Sequence, residues 1–174
     1  MDTASITADW LKTQKWDVKK PNEVTIDGVM LKELTTVLDG RGDVTELWSE
    51  KWLDSGAVKT AHAYQSATDY GVVKCWHLHA VHTDQFTVTR GKLQVSLVDV
   101  RDGSPTFGQV NTVIMGTTKP RFLKIPNGIM HGWKSLAMPE TLVINFQSHV
   151  YDAVDELKFP WDTVLKEVWQ PLNG

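Results

Sequence analysis

The stretch that decides the fold runs Gly71-Val72-Val73-Lys74-Cys75-Trp76-His77-Leu78-His79-Ala80-Val81-His82-Thr83-Asp84-Gln85-Phe86-Thr87-Val88-Thr89-Arg90-Gly91. Its β-branched and aromatic residues form two strand runs, 72–81 and 86–89, closed by an Arg-Gly break. Three of the chain's six histidines lie here within six residues. In an extended strand, residues two apart share a face. His77 and His79 therefore point the same way, with Cys75 and Val81 beside them. A single such histidine reads as a hydrogen-bonded core residue. Two on one face must satisfy both nitrogens of each ring, so a functional site and a paired core are both open readings. His82 falls in the loop after the strand, where solvation is expected.

Working outward, residues 24–34, 44–48, 92–101, 109–115, 121–125 and 141–147 read as further strands. Asp39-Gly40-Arg41-Gly42, Asp102-Gly103-Ser104-Pro105 and Pro126-Asn127-Gly128 supply the turns. Short strands at this spacing predict an all-β sandwich or barrel, and a double-sheet jelly roll fits better than an immunoglobulin-like sandwich. Trp161, Val164, Leu165, Val168 and Trp169 fall at helical spacing and predict a short C-terminal amphipathic helix. Residues 1–20 are polar and mixed, an arm with a helical hint around 7–16, and 21–174 read as a single domain.

With 174 residues, 41% of them hydrophobic and 22% charged, the chain is globular and large enough to bury a core. A net charge of -3 without a basic stripe argues against nucleic acid as a partner. The single cysteine, Cys75, excludes a disulfide framework and suits a reducing compartment. Met1-Asp2-Thr3-Ala4-Ser5 lacks a signal-peptide pattern, and no apolar run is long enough for a bilayer. A cytoplasmic location away from membranes is the expectation. Of the eight tryptophans, Trp10, Trp48, Trp161 and Trp169 read as core or dimer contacts. Trp76 and Trp133 adjoin site histidines, so either can stack on a ligand. Arg101 reads as holding the turn that follows it.

Gly71, His77-x-His79, Asp84 and Gly91 are spaced as in the first cupin motif, with Asp where Glu is usual. Pro126-x-Gly128-x-x-His131 resembles the second. The resemblance implies a cupin double-stranded β-helix. In metal-binding cupins these positions give His77, His79, Asp84 and His131 as ligands, a set that suits Fe, Mn, Ni, Co or Zn.

A second resemblance spans roughly residues 24–165. Ile26-Asp27-Gly28-Val29 and Asp39-Gly40-Arg41-Gly42 through Glu46-Leu47-Trp48 resemble the opening of the dTDP-4-dehydrorhamnose 3,5-epimerase family. So do Gly71 to His77, the string Val98-Asp99-Val100-Arg101-Asp102-Gly103-Ser104-Pro105-Thr106-Phe107-Gly108, Ile125 to Trp133, and Tyr151 with Glu156 and Trp161. The resemblance implies a homodimer that needs no metal and epimerises a nucleotide-linked 4-keto-6-deoxy sugar. His77 falls on the base and His131 on the second site histidine. Arg41 and Lys74 fall on diphosphate-binding cations, Glu46 and Glu156 on nucleotide-contacting carboxylates, and Tyr151 on the aromatic that stacks on thymine. Asn145 stands where the family has its proton-donating tyrosine, Asp84 near a site lysine, and His79 at a glutamine. The aspartate that orients the family's base has no counterpart in this reading. Besides an epimerase, the residues leave open a metal-dependent cupin enzyme on another small polar substrate. A sugar-nucleotide binding cupin without catalysis is the third reading.

Overall fold

The structure, a computed structural model, describes residue 3 and residues 5–170. Met1, Asp2 and Ala4 of the amino-terminal stretch, and residues 171–174, lie outside the described residues. One helix, α1 (Ala8–Thr13), precedes strands β1 (Asp17–Val18), β2 (Met30–Glu33), β3 (Thr36–Asp39), β4 (Gly42–Thr45), β5 (His62–Asp69), β6 (Val73–His79) and β7 (Asp84–Arg90). There follow β8 (Lys92–Asp99), β9 (Gln109–Gly116), β10 (Arg121–Ile125), β11 (Ile129–Ser135), β12 (Glu140–Gln147) and β13 (Glu156–Lys158). Six strands form one sheet in the order β1-β9-β8-β11-β6-β13, and five form the other, β2-β10-β7-β12-β5. This is the expected jelly roll. The β3–β4 hairpin stands apart as its own two-stranded sheet.

Alternation of side chains builds two cores. Phe86 and Val88 of β7, Leu93, Val95 and Leu97 of β8, and Trp133 of β11 fill the space between the sheets. Val98 and Met130, with Trp76 and Leu78 of β6, face the other way and form a second core with Leu11 of α1, Val164, Leu165 and Trp169. The six-stranded sheet is thus covered on both sides, which is why β8 is buried almost throughout.

Two glycines carry this geometry. Gly91 turns the chain from one sheet to the other at φ +80°, with Glu140 O only 2.8 Å from where a Cβ would stand. Gly132 lies opposite Cys75, whose Cβ is 2.1 Å from a Cβ built there. That close approach coincides with a bulge: β11 pairs His131 with His77 but Trp133 with Lys74.

The C-terminal expectation needs correction. The apolar residues are buried, but by an irregular chain ending in a single 3-10 turn, Lys166–Trp169, and not by an α-helix. Leu165 sits at φ 54°, the left-handed region, which ends any helical run. Trp161 stays 46% exposed. Similar spacing in an irregular chain reads identically to a helix in sequence.

Arg101 does hold its turn. Buried Asp99 accepts from Arg101 Nε at 2.9 Å, Ser104 Oγ at 2.6 Å and Thr106 Oγ1 at 2.6 Å, and Arg101 also donates to Asp27 O at 2.9 Å. Burial alone would raise the Asp99 pKa, but these donors outweigh it and lower it. Its contribution to stability is therefore present above the ordinary aspartate range and lost as pH falls through the depressed value. Asp99→Ala removes the carboxylate that Arg101, Ser104 and Thr106 all donate to, and is expected to cost about 3 kcal/mol in urea unfolding.

Candidate active site

A cavity of about 510 Å³ opens between the sheets. Strand β6 lends it His77 and His79, β11 His131 and Trp133, β7 Asp84, β5 His62 and Tyr64, and β12 Asn145 and Gln147. His82 from the β6–β7 turn, with Tyr151 and Glu156 from the chain after β12, completes the wall. The strand pattern explains the convergence, because β6 sends Trp76 and Leu78 outward and His77 and His79 inward.

Two groups of side chains occupy this space. The first is a dyad: His77 Nδ1 lies 2.7 Å from Glu156 Oε1. β13 pairs with β6 in the register Lys158↔His77, which lays Glu156 alongside the ring. A carboxylate accepts, so Nδ1 carries the ring proton and Nε2 keeps its lone pair. Burial lowers the His77 pKa, helped by His131 and opposed by Glu156, so the ring is neutral at pH 7. Glu156 would rise through burial, but Lys158, 2.8 Å from its other oxygen, and His77 hold it below the usual range.

The second group surrounds Asp84. Its Oδ1 accepts from Asn145 Nδ2 at 2.7 Å and Gln147 Nε2 at 2.9 Å. Its Oδ2 lies 3.1 Å from His131 Nε2 and 3.4 Å from His79 Nε2, and Oδ1 lies 3.7 Å from His82 Nε2. Each of these rings turns Nδ1 to an acceptor: Ile129 O at 2.9 Å, Asp155 O at 3.3 Å and Asp155 Oδ2 at 2.8 Å. Asp155 also accepts the backbone N–H groups of Ala80, Val81 and His82, pinning the turn. Burial and the neighbouring His131 push His79 down to about 4. Burial would raise Asp84, yet the hydrogen bond and charge of His131, with His79 and Gln147, hold it far below the carboxylate range.

The sequence reading placed several residues differently. His82 is 3% exposed and joins the Asp84 group; the Asp155 carboxylate, distant in sequence, folds its loop inward. His77 stands in the dyad, apart from the Asp84 group that holds His79 and His131. Cys75 packs with the second core, because the bulge beside Gly132 breaks the alternation. The same bulge turns Lys74 towards β5, where Nζ donates to Ser66 Oγ at 3.1 Å and Ala67 O at 2.6 Å, outside the cavity lining. Arg41 and Glu46 do not reach this cavity either. Arg41 lies on the exposed β3–β4 hairpin paired with Asp39, and Glu46 follows that hairpin beside Lys32 and Trp52. Trp76 is wholly buried against Trp169, whereas Trp133 lines the cavity with its Nε1 bonded to Thr68 Oγ1 at 3.1 Å. Tyr151 stands at the rim, 59% exposed. The reading missed His62, Tyr64 and Gln147. His62-x-Tyr64 repeats the period-two ring spacing of His77-x-His79, and that was the available signal.

A family model for dTDP-4-dehydrorhamnose 3,5-epimerase matches residues 23–172. The chain belongs to the dTDP-4-dehydrorhamnose 3,5-epimerase family. Among relatives of this epimerase, a probable low-salt glycan biosynthesis epimerase of Haloferax volcanii is 31% identical over 79% of this chain and 89% of its own length. A spore coat polysaccharide biosynthesis protein of Bacillus subtilis is 34% identical over 79% of this chain and 91% of its own. The crystal structure of the dTDP-4-dehydrorhamnose 3,5-epimerase of Bacillus anthracis, with TDP and pyrophosphate bound, superposes with a TM-score of 0.74. It is 27% identical, covering 82% of this chain and 85% of that one. Membership makes the protein a sugar-nucleotide epimerase by type. No helix among the described residues is long and apolar enough to cross a membrane.

Proposed function

We propose that this epimerase inverts a carbon next to the ketone of a dTDP-linked 4-keto-6-deoxy sugar, with His77 as the base. The His77–Glu156 dyad carries the reading. A ketone acidifies the neighbouring C–H, and a neutral imidazole with its lone pair free is matched to remove that proton near pH 7. Glu156 fixes the tautomer and stabilises the imidazolium that forms. The carboxylate that the sequence reading lacked for the base is thereby supplied from β13. Relatives named for glycan and spore coat polysaccharide biosynthesis support a place in carbohydrate biosynthesis. A sequence with a single cysteine, and so without a disulfide framework, is in keeping with a cytoplasmic enzyme.

Nucleotide binding follows from the rim. Tyr151 offers an aromatic face for the base. The β3–β4 hairpin exposes Val37, Leu38 and Val44 at 65, 77 and 71%. An apolar hairpin of this kind is covered by a second copy in a homodimer, which would bring Arg41 and Glu46 to the partner's nucleotide. Calorimetry with dTDP is expected to show saturable binding that weakens with salt. Arg41→Ala is expected to weaken it about tenfold, the scale of one charge-assisted hydrogen bond. No saturation at millimolar dTDP would count against any nucleotide-sugar role.

The Asp84 group favours a second reading. With Nδ1 of each ring turned to its own acceptor, Nε2 of both His79 and His131 faces Asp84 Oδ2, so a proton or a cation must lie between nitrogen and carboxylate. The set fits a divalent transition metal held by His79, His82 and Asp84, whose ligand atoms lie within 4.8 Å of one another, and such an ion would supply Lewis-acid stabilisation of an enolate oxygen. His77 is not among the ligands. Asp84→Asn keeps an oxygen for the two amides and puts an N–H where Oδ2 faces the rings. A proton-held network should accept it, whereas a metal site should lose its ion. Plasma mass spectrometry on wild type and Asp84→Asn decides, and sub-stoichiometric metal in wild type after growth with Fe, Mn, Ni, Co and Zn removes the metal reading.

A further inference from the structure

Inversion needs an acid on the face opposite the base, and the dyad lies on the six-stranded sheet. We infer that Tyr64, on β5 of the facing sheet, returns the proton to the substrate carbon; this rests on the epimerase reading above. The reasoning is an account of where each hydrogen in the cavity goes. Asn145 Nδ2 donates one hydrogen to Asp84 Oδ1 at 2.7 Å and the other to Tyr64 Oη at 2.9 Å, while its Oδ1 accepts from Gln85 N–H at 3.2 Å. Both amide hydrogens are engaged, so Asn145 has none left to donate to a substrate. Register makes this pairing obligatory, since Asn145 and Tyr64 are direct partners across β12 and β5.

Tyr64 receives at its oxygen and gives nothing: among the described residues its O–H has no acceptor. The hydroxyl hydrogen is free to address a ligand in the cavity that Tyr64 lines. The imidazoles around Asp84 are spoken for. His79 and His131 turn Nδ1 to main-chain oxygens and Nε2 to Asp84, and His82 lies between Asp155 and Gln147. Burial and the nearby Asp84 carboxylate push the Tyr64 pKa up to about 12, so the phenol holds its proton at neutral pH. The Asn145 N–H stabilises the phenolate left behind, which makes Asn145 a positioning residue.

The step balances. His77 Nε2 takes the proton as the C–H bond breaks, and the electron pair passes into the enolate. That pair then forms a new C–H bond on the opposite face with the Tyr64 proton, leaving phenolate and imidazolium, which exchange one proton through solvent.

The test uses dTDP-4-keto-6-deoxyglucose in D2O, following loss of the C–H signal and appearance of inverted sugar by proton NMR for wild type, Tyr64→Phe and Asn145→Ala. Tyr64→Phe is expected to exchange hydrogen within a few-fold of wild type while forming inverted product about 100-fold more slowly. Asn145→Ala should fall between the two. Inversion at the wild-type rate in Tyr64→Phe would overturn the assignment. So would equal loss of exchange and inversion in a variant with an unchanged melting temperature, since proton removal does not require the hydroxyl. Wild type that exchanges no hydrogen at all would fail the epimerase reading itself, and the Tyr64 role would fall with it.

Discussion

His77→Asn is expected to fold normally and to lose solvent-hydrogen exchange into a dTDP-4-keto-6-deoxy sugar by about 10³-fold or more. The size follows from what the ring does alone. Glu156 holds the Nδ1 proton and leaves Nε2 as the basic atom of the dyad, and Asn offers an amide that cannot accept a proton at neutral pH. Glu156→Gln tests the other half of the dyad. The amide oxygen still accepts from Nδ1, so the ring stays oriented, but the charge that stabilises the imidazolium is gone. A loss of about 100-fold is expected. Glu156 is also a force that raises the His77 pKa, against burial and His131 that lower it. Its neutralisation should move the acidic limb of the rate profile to lower pH while lowering the plateau. Exchange unchanged in His77→Asn would remove this residue from the mechanism, and a Glu156→Gln profile shifted upward would contradict the dyad.

The fold was legible in sequence where alternation is strong. Residues 121–125 were placed to the residue, and 92–101 and 141–147 nearly so, because each strand sends apolar residues to the intersheet core. Strand β5 was not legible. His-Ala-Tyr-Gln-Ser-Ala-Thr-Asp is an edge strand with one wholly buried residue, Thr68, so no hydrophobic alternation announces it. β11 was hidden by Gly132, which reads as a breaker and is in fact demanded by the close approach of Cys75. The site was half visible for the same reason. His77, His79, Asp84 and His131 carry a recognisable spacing, and they do converge. What joins them does not. Glu156 reaches His77 through pairing between segments 79 residues apart, and Asp155 folds His82 inward across 73. Long-range partners of this sort leave no local pattern, so the division of the histidines between two groups could be seen only in three dimensions.

Trp76→Ala is expected to give the largest loss of stability, about 4 kcal/mol, or roughly 10 °C in melting temperature for a domain of this size. The ring is fully buried and packs on Trp169 with centroids 4.9 Å apart, so its removal opens a cavity between the six-stranded sheet and the C-terminal chain. More than packing is at stake. Trp76 N–H donates to Phe159 O at 2.7 Å, and Phe159 N–H returns a bond to Trp76 O at 3.0 Å. That exchange continues the β13–β6 pairing that sets Glu156 beside His77. With the ring gone, the Trp169 segment loses its anchor and β13 its backing, and catalysis should suffer even at temperatures where the protein remains folded. Trp76→Phe separates the two effects. It keeps an aromatic against Trp169 and deletes an indole N–H that is buried without a partner among the described residues, so it should cost well under half as much. Thermal melts and exchange rates measured together on both variants check the coupling. Full activity in Trp76→Ala at low temperature would show that β13 holds Glu156 in place without help from the outer core.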